Sequence, residues 1–162
     1  MGVYAEACAY KYSCDREAQY AYAIGSLKKA QAAIESGAFA SEITPVEVAQ
    51  RSGTIMIDTD EQPMKARFDK IPQLRPAFKK DGTVTAANAS SIPDGPAAVV
   101  LMRQSEATKR GLTPLARIAA HTSPAQEPSE MTSATIGAIG SLLDKTGWAQ
   151  DPQATFETNE AC

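Results

Sequence analysis

Few residues of this chain are of the types that act as nucleophiles or metal ligands. The chain has one histidine, His121, and three cysteines, Cys8, Cys14 and Cys162. An odd number of cysteines without a CxxC pair is not typical of a disulfide scaffold, and a zinc site would need unusual spacing. A Cys–His pair that includes His121 stays open as a catalytic alternative, because histidine can activate a thiol. We interpret Cys8 and Cys14 as small packing residues and predict no metal site.

A second stretch that could contact a ligand is RPAFKKDGTVTAANASSIPDGPAAVV, residues 75–100. It begins with basic and aromatic residues, continues through a glycine-bearing turn and a run of small residues, and ends in a five-residue apolar run. Small side chains let a ligand approach the backbone closely. The order therefore indicates a surface of small residues that leads directly into a buried strand.

Length, charge and hydropathy narrow the class of protein. The 162 residues suffice for a hydrophobic core, and the net charge of −3 gives no sign of a nucleic acid or membrane partner. No apolar run approaches the roughly 20 residues that span a bilayer. The start, MGVYAEACAY, lacks the basic and apolar regions of a signal peptide. We expect a cytoplasmic protein.

The first third of the chain predicts two helices and a hairpin. Apolar spacing places one helix over 4–12, with Ala5, Cys8, Ala9 and Tyr12 inward. It places a second helix over about 16–36, whose inner face has the 3–4 spacing of Tyr20, Ala23, Ile24, Leu27, Gln31 and Ile34. Asp15 is a suitable N-cap for the second helix, and Gly37 is a suitable end. The stretches EITPVEV and GTIMID predict short strands around the turn QRSG.

The rest of the chain predicts strands that alternate with helices. We expect strands over 97–102, 115–120 and 154–157, and helices over 105–111 and 133–146. Helices that cross between strands imply an α/β fold with a partly parallel sheet. The residues expected to face inward on the last helix are Ile136, Ile139, Leu142 and Leu143.

Several of these stretches, in this order, together resemble the middle of a thiolase (acetyl-CoA acyltransferase). They are MGVYAEACAYKYSCDREAQYAYAIGSLKKAQAAIESGAFASEITPV, LRPAFKKDGTVTAANASSIPDGPAAVVLM, LTPLARIAAHTSPAQEP and FETNEA. The resemblance implies an incomplete thiolase fold. A helical loop domain over 1–95 would cover coenzyme A, and 96–162 would supply part of a mixed sheet with covering helices, as a truncated C-terminal half.

The resemblance also implies an activity. Thiolases make or cleave a carbon–carbon bond between acyl groups carried as coenzyme A thioesters. They use a nucleophilic cysteine, a histidine in a Gly-His-Pro motif and a second cysteine in a Cys-x-Gly motif. None of these motifs occurs in this sequence. We therefore expect a piece of a longer, homo-oligomeric enzyme (a dimer or tetramer). It would use an acyl-CoA substrate without a covalently bound cofactor, and would be inactive without the remainder of the thiolase chain.

Five positions match functional residues of the family. Asn159 matches the asparagine of an Asn-Glu-Ala-Phe motif, which holds a water that donates to an oxyanion; without the resemblance, it would equally be a helix cap. Phe78 matches an aromatic beside coenzyme A, Ala86 and Ser90 match the wall along its pantetheine arm, and Met131 matches a methionine near the acyl pocket. Basic residues that could meet the phosphates, or form a solvated face, are Lys65, Arg67, Lys70, Arg75, Lys79 and Lys80.

Some positions depart from the family pattern. Ala87 replaces the glycine of TAGNAS, and alanine would strain the wall if that position requires a positive φ. Met64 stands where an arginine often meets the nucleotide, and Cys162 replaces a phenylalanine. These changes leave three hypotheses: a segment of an acyltransferase, a non-catalytic thiolase-like module that binds acyl-CoA or lipid, and a helical interaction module.

Overall fold

The computed structural model describes residues 1–149 and 155–159. The described residues divide into two compact units, one over Met1–Ala89 and one that begins at Ser90. The first unit holds three helices and a hairpin, and the second holds two helices, in the part of the chain described.

Two helices open the first unit, as the sequence predicts. Helix α1 spans Gly2–Lys11 and helix α2 spans Arg16–Glu35. Asp15 caps α2, since its Oδ1 accepts a hydrogen bond of 2.7 Å from the backbone N–H of Ala18. Gly37 follows the helix with a φ of 66°, the left-handed conformation that glycine adopts without a steric penalty.

The predicted inner face of α2 is confirmed. Its members are buried or half-buried: Tyr20, Ala23, Ile24, Leu27, Gln31 and Ile34. Near its end, Gln31 Nε2 donates a 2.7 Å hydrogen bond to the carbonyl of Pro63, in the short helix α3, Glu61–Met64. A 3-10 turn at Ile71–Gln73 buries Ile71. Helix α1 differs from its prediction, because Tyr12 is half exposed and Gly2, Ala5 and Glu6 are the buried residues.

The predicted hairpin is also confirmed. Strand β1, Val46–Gln50, pairs antiparallel with strand β2, Gly53–Ile57, so that Val46 lies opposite Ile57 and Gln50 opposite Gly53. Every residue of both strands is exposed. The hairpin therefore depends on its own ladder rather than on a core beneath it.

The second unit contains helix α4, Gln104–Lys109, a 3-10 helix at Pro128–Ser133 and helix α5, Ala134–Thr146. Both α-helices were expected. On α5, Ile139, Leu142 and Leu143 are half-buried, whereas Ile136 is 61% exposed, contrary to its predicted inward position.

The strands predicted over 97–102 and 115–120 are not paired in the described residues, whose sheet is the two-stranded hairpin alone. The strand predicted over 154–157 begins at a residue outside the described ranges, and 155–157 are irregular. The apolar pattern at these places is real, but a strand also needs a neighbour to supply its ladder. Within 1–149 and 155–159, no helix is long and apolar enough to cross a membrane.

Candidate functional site

The run of small residues forms a tight turn held by one asparagine. The backbone N–H groups of Asn88 and Ala89 both donate to the carbonyl of Thr85, at 3.3 and 3.0 Å. Asn88 Oδ1 accepts a 2.6 Å hydrogen bond from the N–H of Thr85, and Asn88 Nδ2 donates to the carbonyl of Thr83 at 3.1 Å. Thr85 is fully buried. The side chain of Asn88 therefore satisfies the backbone of its own turn.

Gln19 of α2 connects this turn to the helices. Its Oε1 accepts from Asn88 Nδ2 at 3.0 Å, and its Nε2 donates to Thr83 Oγ1 and to the carbonyl of Cys14, both at 2.9 Å. One amide side chain thus bridges the end of the α1–α2 connection and the turn at 85–89. The turn is fixed to the helical layer by polar contacts.

Phe78 and Ala86, the predicted ligand-facing residues of the first unit, are both exposed. The Phe78 ring lies against Gly2 of α1, where a Cβ atom would overlap it. The N–H of Ala77 donates to the carbonyl of Val84 at 2.9 Å, and this hydrogen bond closes the loop 77–84, which contains Phe78 and ends two residues before Ala86. Both side chains are available to a ligand, and each sits on backbone that is held in place.

Ala87 does not have the strained backbone considered above. Among the described residues, the non-glycine residue with a positive φ is Ser13, and Ala87 lies in the helix-like turn at 85–89. Its N–H donates to Thr85 Oγ1 at 3.3 Å. The strained-wall hypothesis is therefore wrong, since alanine tolerates this turn without a steric penalty.

We expect Ala87→Gly to lower the free energy of unfolding by about 0.4–1 kcal/mol. Glycine would add conformational freedom to the unfolded chain and would gain nothing in the folded turn. Urea denaturation of the two proteins measures the difference. An increase in stability would show that alanine is strained here after all.

Two of the candidate phosphate-binding residues, Lys65 and Arg67, have carboxylate partners, whereas Lys70, Arg75, Lys79 and Lys80 are exposed. Lys65 hydrogen-bonds to Glu61 one helical turn earlier, and this hydrogen bond and the charge of Lys65 hold the pKa of the Glu61 carboxyl below its usual range. Arg67 lies 3.6 Å from a carboxylate oxygen of Asp69. Met64, beside Lys65, is half exposed. Lys65, which was predicted to contact a phosphate of coenzyme A, therefore already has Glu61 as an anionic partner.

The second unit has an apolar groove of about 590 Å³ between α5 and the irregular segments at 115–120 and 155–159. Leu142 and Leu143 of α5 line it, together with Ile118, Phe156 and Asn159. Asn159 is exposed, so its amide can bind water. The residues that would follow Asn159 if it were a helix cap, 160–162, lie outside the described residues.

Ser90 and Met131 also belong to the second unit. Ser90 is exposed, and its hydroxyl donates to the carbonyl of Ser91 at 3.4 Å. Met131 is 38% exposed, in the 3-10 helix before α5. In the described part of the chain, neither residue lines the groove that contains Asn159.

Of the histidine and the cysteines, the structure describes His121, Cys8 and Cys14. His121 is exposed, and its carbonyl accepts a 3.0 Å hydrogen bond from Lys145 Nζ. Cys8 is half-buried, as a packing residue can be, but Cys14 is exposed, so its predicted packing role is wrong. The described residues contain no group of three or more His, Cys, Asp or Glu able to hold a metal ion.

Comparison with known proteins identifies the family. Residues 1–105 match the family described as "Thiolase, N-terminal domain". The chain belongs to the thiolase family. An acetyl-CoA acetyltransferase of Thiocystis violacea is 49% identical over 163 residues, which cover 99% of this chain and 41% of that protein. This thiolase chain therefore spans about two fifths of the length of such relatives.

Solved structures confirm the α/β fold class, an incomplete thiolase fold. The acetyl-CoA acetyltransferase of Bacillus anthracis has a TM-score of 0.88 and 39% identity, over 92% of this chain and 38% of that one. Human mitochondrial 3-ketoacyl-CoA thiolase has a TM-score of 0.84 and 36% identity, over 90% and 37%. The thiolase pattern therefore extends well beyond residue 105.

Sequence reasoning missed the residues that hold the segment at 83–89 of this thiolase in place. Glu6, Gln19 and Thr83 make its anchoring hydrogen bonds, yet none was singled out, and Asn88 was seen only as part of a motif. One signal was available for Glu6, which lies four residues after Gly2 and next to Ala5 on the face of α1 that is buried. A charged residue on a buried face needs a partner, but the sequence does not say which partner it has.

Proposed function

We propose that this chain supplies the coenzyme-A-binding wall and one oxyanion element of an acyltransferase that makes or cleaves a carbon–carbon bond between acyl-CoA thioesters. The observation that carries the proposal is the 49% identity to an acetyl-CoA acetyltransferase across 99% of the chain. In this proposal the chain is the central part of a longer, cytoplasmic, homo-oligomeric thiolase. Residues 1–95 form its loop domain, and 96–162 begin its C-terminal half.

The exposed small residues of the first unit suit the wall. Ala86 is exposed on a turn whose backbone is satisfied from within, so a pantetheine arm can lie against it without competing for those hydrogen bonds. Phe78 offers half of its aromatic surface for apolar contact. In the second unit, considered by itself, Ser90 and Met131 are the proposed contacts.

Asn159 is the proposed chemical element. Its amide can hold a water molecule that donates a hydrogen bond to a thioester oxygen as negative charge develops there. A donor fixed in advance stabilises the transition state more than the ground state, because its dipole needs no reorganisation.

The isolated chain should not catalyse the reaction, because its 162 residues contain none of the three motifs that transfer the acyl group and protons. A chimera tests this proposal. Residues 1–162 replace the matched stretch of the Thiocystis violacea enzyme, which keeps that enzyme's remaining three fifths. We expect acetoacetyl-CoA cleavage by the chimera and none by the isolated chain, with rates that differ by several orders of magnitude.

The relative carrying its own sequence is the control for expression and assay. Circular dichroism and thermal unfolding establish first that the chimera is folded. A folded chimera that neither cleaves acetoacetyl-CoA nor binds coenzyme A would contradict the proposed function. Turnover by the isolated chain that disappears in His121→Ala would contradict it in the other direction.

A further inference from the structure

We infer that Glu6 is the positioning residue of the proposed coenzyme A wall, and that residue 82 is glycine because the Glu6 carboxylate occupies the space of its side chain. The ligand in this inference rests on the proposed function. The positioning itself rests on contacts within the first unit.

The Glu6 carboxylate is a buried acceptor surrounded by donors of one loop. Glu6 is 9% exposed. The N–H of Thr83 lies 2.9 Å from Oε2 and 3.1 Å from Oε1, and the N–H of Val84 donates to Oε1 at 3.0 Å. The Thr83 hydroxyl reaches Oε2 at 3.3 Å. Backbone donors to an ionised acceptor make strong hydrogen bonds, so the charge is well compensated.

Gly82 provides the room for this carboxylate. A Cβ atom at position 82 would overlap Glu6 Oε1 and lie 2.7 Å from its carboxyl carbon. Glycine is not required here by a positive φ, since Gly82 is not among the glycines with that conformation. The reason for glycine at this position is therefore steric and depends on Glu6.

The fixed backbone leads in both directions to the proposed wall. On one side, the Val84 carbonyl accepts a hydrogen bond from the N–H of Ala77, the residue before Phe78. On the other side, the Thr83 carbonyl accepts a hydrogen bond from Asn88 Nδ2, and the Asn88 side chain holds the turn on which Ala86 is exposed. Both ligand-facing positions of the first unit are thus joined to the residues that Glu6 holds.

The chemistry selects a glutamate. Its two oxygens are acceptors only, which matches two N–H groups and a hydroxyl. Glutamine would turn an NH₂ group toward one of these donors. Aspartate is shorter by a methylene group and would not reach both amides from the same backbone position.

Hydrogen exchange in the intact 162-residue chain tests the positioning. We expect Glu6→Gln to accelerate exchange of the Thr83 and Val84 amides at least about tenfold, because the carboxylate charge and one of its two acceptor oxygens are lost. Amides in the middle of α2 should keep their protection. Glu42→Gln, which removes an exposed carboxylate, is the matched control and should change neither amide. Unchanged exchange at Thr83 and Val84 in Glu6→Gln would overturn the inference.

A double-mutant cycle tests the role of Gly82. Gly82→Ala should accelerate exchange of the same two amides when Glu6 is present. In a Glu6→Ala background, which empties the space, adding Gly82→Ala should have little further effect, so that the two changes are strongly non-additive. Equal effects of Gly82→Ala in both backgrounds would overturn the steric explanation.

The ligand is tested in the acyltransferase chimera. We expect Glu6→Gln to raise KM for coenzyme A about tenfold with kcat nearly unchanged, the pattern of lost binding rather than lost chemistry. Accelerated amide exchange with an unchanged KM would leave Glu6 a purely structural residue and overturn its link to the wall. A chimera that is folded but inactive contradicts the proposed function. The hydrogen-exchange measurements on the Glu6 and Gly82 variants do not depend on that activity, so they still decide whether Glu6 holds the backbone at Thr83 and Val84.

Discussion

Asn159→Ala in the chimeric acyltransferase is expected to lower kcat by about 10²–10³-fold, the usual cost of one oxyanion donor. The substitution removes the amide that would hold the donating water. KM for the acyl-CoA should change little, because the interaction develops with charge in the transition state. Steady-state kinetics of acetoacetyl-CoA cleavage measure both constants.

Neighbouring and conservative variants sharpen this test. Thr158→Ala removes another exposed side chain of the same groove and should leave kcat within about a factor of three. Asn159→Asp places a negative charge where an oxyanion forms, so it should be at least as damaging as alanine. A small effect of Asn159→Ala on kcat, with a raised KM, would remove Asn159 from the chemical step.

Asn88→Ala is expected to lower the free energy of unfolding by about 1–3 kcal/mol, the cost of leaving a buried donor unsatisfied. The substitution removes the acceptor of the Thr85 N–H, in a residue that is fully buried, and two donations to Thr83 and Gln19. Urea denaturation followed by circular dichroism at 222 nm gives the difference.

Asn88→Asp distinguishes the contribution of the accepting oxygen of Asn88 from that of its donating NH₂ group. Aspartate keeps an acceptor for Thr85 but loses both donations and points a charge at two acceptor oxygens, the Thr83 carbonyl and Gln19 Oε1. If the donor half matters, Asn88→Asp should destabilise the chain by an amount comparable with alanine. Asn159→Ala, at an exposed position, is the control and should stay within about 0.5 kcal/mol. A neutral Asn88→Ala would show that the turn does not depend on this side chain.

The helical layer and the hairpin could be predicted from the sequence because their signals are local. Asp15 and Gly37 bracket α2 within a residue or two of its observed ends, Arg16 and Glu35. The apolar spacing of α2 also identifies its buried face. Each of these signals acts over a few residues, through caps, backbone conformations and side-chain periodicity, so no distant part of the chain is needed to interpret it.

Predictions that depended on a neighbouring element were less successful. The apolar runs at 97–102 and 115–120 have the composition of strands, but in the described residues they lack a partner strand that would give them a ladder. The backbone conformation at Ala87 was also undecided, because a motif gives residue types and not φ angles. Only the folded turn showed an ordinary conformation there.

Family resemblance placed candidate ligand contacts at Phe78 and Ala86, but the residues that hold them became visible only in three dimensions. Glu6 is 77 positions from Thr83 along the chain, and Gln19 is 69 positions from Asn88. By itself, the sequence determined the helices, the hairpin and the family pattern. The tertiary structure decided which polar side chains of those helices meet the segment at 83–89, because a hydrogen bond depends on a separation of about 3 Å in space and not on separation along the chain.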